Sequence, residues 1–86
     1  MNDAAYEEFQ KEFLSAVKEI LAEKMMENGG MDPVDLDSLA LAVKGKFPKV
    51  EWAAVVDGIM RLTRNQVVET TGYSCKMSVM DMLASL

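Results

Sequence analysis

The sequence predicts a mainly α fold with one small β-hairpin: an α+β domain of three helices, a two-stranded ribbon and a short C-terminal helix. Three observations lead there. Apolar residues recur at three- and four-residue spacing over 3–27, 34–46 and 50–65, the rhythm of helices with one buried face. From Val67 to Met77 the pattern changes to alternation around Thr71-Gly72, the rhythm of a hairpin. Turn residues, Asn28-Gly29-Gly30 and then Gly45 with Pro48, separate the periodic runs. A chain of 86 residues has room for one core. It divides into a long N-terminal helix with its cap (1–30), a helix–turn–helix pair (31–65), the hairpin (66–78) and an apolar tail helix (79–86).

The first helix starts where Asn2 or Asp3 can cap it and where Glu7 and Glu8 favour the positive end of its dipole. Tyr6, Phe9, Phe13, Val17, Ile20 and Leu21 fall on one face and are expected in the core. Glu8, Lys11, Glu12, Ser15, Lys18 and Glu19 fall on the other. Asparagine and glycine tolerate the left-handed conformation that ends helices, so the helix should run from about 3 to 27 and stop at Asn28. In MDPVDLDSLALAVKGKFP, Asp32 before Pro33 suits an N-cap, and Asp37-Ser38 offers a second start. Leu36, Leu39, Val43 and Phe47 share a face of that second helix. In the third, Trp52, Val55, Val56, Ile59 and Leu62 form a core-facing stripe, and Asn65 can close it. In the hairpin Tyr73, Cys75, Met77 and Val79 point one way and Ser74, Lys76 and Ser78 the other. The tail opens with Ser78 and, three residues on, Asp81, a variant of the capping box. Its apolar positions are Val79, Met82, Leu83 and Leu86. Eight residues do not hold a helix unaided in water, so the tail must dock on its own core or on another chain.

The composition excludes several kinds of chemistry. The chain has no histidine and a single cysteine, Cys75, which removes the commonest general base and leaves no ligand set for zinc. Neither a phosphate-cradling glycine loop nor a nucleophile elbow occurs. The acids of the first helix lie on its wet face, where they solubilise. No catalytic residue, cofactor site or metal site is therefore expected, and the chain reads as a protein that is not an enzyme. No apolar run approaches the roughly 20 residues that cross a bilayer, no signal peptide opens the chain, and a lone cysteine fits a reducing compartment. A cytoplasmic protein is expected, with Cys75 as a buried, inert thiol. The net charge of −5 is unevenly spread: residues 1–42 carry −7, residues 43–76 carry +3 and the last ten −1.

The order helix, short helix, turn, helix, ribbon resembles the winged-helix (winged helix-turn-helix) superfamily. The resemblance is carried by Leu39 and Val43, by Phe47-Pro48 at the turn, by Val55, Ile59 and Leu62, and by Val67 to Glu69 entering the wing. It covers about residues 5–78 and implies a three-helix winged-helix-like domain, with the third helix in the place that reads DNA. In that family the residues after the double glycine can form a short strand that pairs with the wing. Within the superfamily, FPKVEWAAVVDGIMRLTRNQVVE resembles the small D proteins of dissimilatory sulfite reduction, which implies a regulator of an enzyme complex rather than a DNA binder. The tripeptide Asp37-Ser38-Leu39 also resembles the phosphopantetheine attachment site of acyl carrier proteins, although Asp35 stands where that family has glycine.

The solvent side of the third helix favours protein contact. Recognition helices read bases through early Arg, Lys, Asn or Gln, whereas this one presents Glu51, Ala53, Ala54, Asp57 and Gly58 before Arg61 and Arg64. Small residues let another backbone approach, and arginines at the rim of a flat patch suit an interface. Eight methionines, a residue that adapts to irregular partners, add to this reading. The expected partner face is Ala53, Ala54, Asp57, Gly58, Arg61, Arg64 and Met80, in a non-enzymatic, regulatory protein that contacts another protein or itself as a homodimer. The second reading is a DNA-binding transcriptional regulator presenting Lys44, Lys46, Lys49, Arg61 and Arg64. The third is an acyl-carrier-like protein modified on Ser38, against the plainer role of Asp37-Ser38 as a helix cap.

Overall fold

The computed structural model describes residues 3–63 and 77–86. Among the described residues four α-helices follow one another: α1 (Asp3–Lys24), α2 (Leu36–Lys46), α3 (Trp52–Leu62) and α4 (Val79–Ser85), with a short 3-10 turn at Asn28–Gly30 after α1. The core lies where α1 meets the other three. Phe13, Ala16, Val17, Ile20 and Leu21 of α1 pack with Leu39, Ala40 and Val43 of α2, Val55 and Ile59 of α3, and Val79 and Met82 of α4.

The α+β class expected from the sequence is corrected. Among the described residues the fold is all-helical, and β pairing is confined to one antiparallel bridge between Pro33 and Ser78. In it the Val34 N–H donates to the Met77 carbonyl at 2.9 Å and the Val79 N–H to the Asp32 carbonyl at 3.0 Å. The physical reason is local. Ser78 turns the chain into α4: it is the N-cap, and its hydroxyl accepts from the Asp81 N–H at 3.1 Å. A residue committed to starting a helix cannot continue a ribbon. The rest of the hairpin expected at 66–78, with Cys75, Arg64 and Asn65, lies outside the described residues.

Two element boundaries also shift. The last turn of α1 tightens, with the Met26 N–H bonded to the Glu23 carbonyl and the Glu27 N–H to that of Lys24, so the helix stops at Lys24 rather than near 27. Asn28, Gly29 and Gly30 then adopt φ of 48°, 62° and 78°, the left-handed run anticipated for this tripeptide. Gly30 is doubly constrained, because a Cβ there would fall on the Met25 sulfur and 3.2 Å from Met80 Cβ. The second helix is capped by neither Asp32 nor Asp37. Asp35 does it, its carboxylate accepting from the Asp37 and Ser38 N–H groups, and α2 therefore begins at Leu36.

Three expected core positions move to the surface. Trp52 opens α3 one turn ahead of its first buried residue, Val55, and keeps 43% of its surface exposed. Tyr6 and Phe9 lie on the apolar stripe of α1 but ahead of Phe13, its first buried residue, and stay 48% and 36% exposed. The tail docks on its own chain: Val79 and Met82 are buried against α1, and Ser85 Oγ donates to the Met82 carbonyl at 2.8 Å.

Candidate functional site

The length of α1 builds the site. Its 22 residues span ~33 Å at 1.5 Å per residue, twice the ~16 Å of the 11-residue helices beside it. The molecule is accordingly elongated, 40 × 26 × 21 Å, and residues 4–12 are helical yet exposed. Between this overhang and α3 runs an open groove of about 630 Å³. Tyr6, Glu7, Phe9, Gln10, Lys11, Phe13 and Leu14 form the α1 wall. Val50, Ala54, Asp57, Gly58, Arg61 and Leu62 form the opposite wall.

Aromatic packing sets the shape of one end. Phe9, Phe13 and Phe47 meet in a three-ring cluster, with centroids 6.1 Å apart for Phe9–Phe13, 5.5 Å for Phe9–Phe47 and 5.9 Å for Phe13–Phe47. These are separations at which edge-on and tilted pairs attract. The Phe13 ring lies across Gly58, where an added Cβ would stand 2.8 Å from Cζ and 2.9 Å from Cε1. Gly58 is thus small for a reason internal to the fold: it admits α1 to α3. The role expected for it, letting another chain approach, is taken by a ring of its own chain.

Four of the expected partner residues, Ala54, Asp57, Gly58 and Arg61, line this groove. Ala53 is exposed on α3 but does not line it. Arg64 lies outside the described residues. Met80 is exposed near Gly30, at the far end of α1 beside Met25, about 16 Å along the helix from Leu14. There it forms, with the exposed Met26 and Met31, a separate methionine-rich end. The α1 wall went unrecognised as a site because its aromatics obey the core spacing. The available signal was length, since an apolar stripe from Tyr6 to Leu21 exceeds what two short helices can cover.

The rim is charged and balanced. Glu7 and Lys11 stand on α1. On α3 Arg61 Nε meets Asp57 Oδ2 at 2.9 Å, one helical turn apart. Two further bases of the expected nucleic-acid set are engaged within the chain. Lys44 Nζ donates to the Pro48 carbonyl at 2.7 Å and to that of Val50, tying the α2–α3 turn. Lys46 pairs with Glu19 at 3.2 Å. Lys49 is exposed.

Ser38 stands in the first turn of α2, its hydroxyl donating to Asp35 Oδ2 at 3.0 Å. That bond, with those from the Ser38 and Asp37 N–H groups, holds the Asp35 carboxyl below its ordinary value of 3.8, helped by the charge of Lys24. The displacement therefore has a helix-capping cause. No described helix is long and apolar enough to cross a membrane, and among the described residues no three His, Cys, Asp or Glu groups are placed to hold a metal ion.

Comparison with protein-family models, with curated proteins and with solved structures finds no match. The functional reading rests on the groove itself.

Proposed function

We propose that this chain is a helical domain without enzymatic activity that acts by protein contact, in a regulatory role, and that the groove between α1 and α3 is its contact face. One observation carries the reading: the small and charged residues of α3 converge with the exposed Tyr6 and Phe9 on a single apolar-floored hollow with a balanced rim. A protein interface has this build, with aromatic anchors at its centre and charges around it. The nucleic-acid reading draws less from the geometry, because Lys44 and Lys46 are tied to their own chain and Arg61 is paired with an acid. The carrier reading draws less as well, since Asp35 and Ser38 together form a helix cap.

Photocrosslinking tests the proposal. A benzoylphenylalanine at Ala54, in the groove, should give covalent adducts of protein mass in the cells that make this chain. The same probe at Glu23, exposed and remote from the groove, should give few. Equal yields at the two positions, or none at Ala54, would contradict it.

A further inference from the structure

The two walls of the groove carry the same charge pattern. On α1 an acid, Glu7, precedes a base, Lys11, by four residues; on α3 an acid, Asp57, precedes a base, Arg61, by four residues. Two helices with this order match acid to base at both positions when they run antiparallel, and oppose like charges when they run parallel. A surface whose two walls match each other in this way is complementary to itself, which a two-fold interface requires. The rim is also neutral on a chain of net charge −5, so it adds no net repulsion between two copies. Exposed helix is present on the same side, where Tyr6 of the overhang and Ala54 of α3 line the same hollow.

We propose that the occupant of the groove is the α1 overhang of a second copy of this chain, the two overhangs exchanged about a two-fold axis. Each overhang lies antiparallel to α3 of the other subunit. Glu7 then meets the partner's Arg61, and Lys11 meets the partner's Asp57, extending the Asp57–Arg61 ion pair into a four-charge network at each end. Tyr6 seats over Ala54 of the partner's α3. The inference rests on the groove being a protein-contact face and adds which protein enters it and in which direction.

Sedimentation equilibrium of the full chain, from micromolar to millimolar concentration, tests it with two charge reversals at exposed positions. The unaltered chain should move reversibly from one chain mass to two. Glu7→Lys and Arg61→Glu should each weaken self-association about tenfold, since each sets like charges against each other twice in the dimer. An equimolar mixture of the two variants should recover the original affinity as a heterodimer, because opposite charges face each other again at both contacts. Circular dichroism should show unchanged helix content in both variants. A chain that stays monomeric throughout overturns the inference. So does a dimer indifferent to both reversals, or one that mixing fails to restore. If the chain is monomeric while the probe at Ala54 still captures another protein, the second copy is excluded and the contact face stands; if Ala54 captures nothing, both fall.

Discussion

Gly45 and Gly58 both sit in helices, and both are expected to cost about 1 kcal/mol relative to alanine, yet their surroundings give them opposite roles. Nothing lies within 4 Å of a Cβ added at Gly45, whereas one at Gly58 would press on the Phe13 ring. Phe13 is nearly buried and held against Phe9 and Phe47, so it has little room to yield. Overpacking of this kind costs about 1–3 kcal/mol. Gly58→Ala should therefore lose about 1 kcal/mol net despite its better helix propensity. Gly45→Ala, near the end of α2, should gain about 0.5 kcal/mol. Urea unfolding midpoints of the two variants should move in opposite directions; a shared direction would remove Phe13 as the reason for Gly58. The cap at Asp35 makes a different prediction. Its folded pKa is lowered, so its contribution to stability is present above the unfolded value and is lost as pH falls through the folded one. Asp35→Ala should melt below the parent at neutral pH, with the gap closing below pH 3.8. A gap that persists undiminished in acid would mean that the carboxylate charge is not what matters.

At the scale of elements, α4 shows how a short segment is held. Seven residues do not make a stable isolated helix, but Ser78 caps this one and Val79 and Met82 bury against α1. Met82→Ala should cost about 3 kcal/mol, as loss of a fully buried side chain does. Calorimetry showing no change would place the tail somewhere other than on its own core. Periodicity made α1, α2 and α3 legible, and Ser78 with Asp81 made the start of α4 legible, because helix formation and capping are local. The α+β class was misread because alternation from Tyr73 to Val79 counts apolar positions without showing where pairing ends. Ser78 caps a helix and pairs with Pro33, a contact 45 residues away in the chain that no local pattern encodes. Asp32, Asp35 and Asp37 are each acceptable caps by residue type, and only the bridge at Pro33, which holds that segment extended, selects Asp35.

On the scale of the whole molecule, one long helix packed by three shorter ones leaves an end over. The sequence placed Ala54, Asp57, Gly58 and Arg61 on one surface because they share a face of α3. It could not place Tyr6 and Phe9 beside them, since whether an apolar stripe is covered depends on the lengths and crossing of its neighbours. The same missing information put Trp52 in the core and joined Met80 to a groove that it does not touch. If the overhang and α3 form the contact face, association must be felt there and not at the methionine-rich end. Backbone amide chemical shifts, followed as the protein is concentrated, report this residue by residue. Shift changes confined to residues 4–14 and 50–62 are predicted, with Met26, Met31 and Met80 unmoved. Changes centred on those methionines, with the groove residues silent, would contradict the assignment of the contact face.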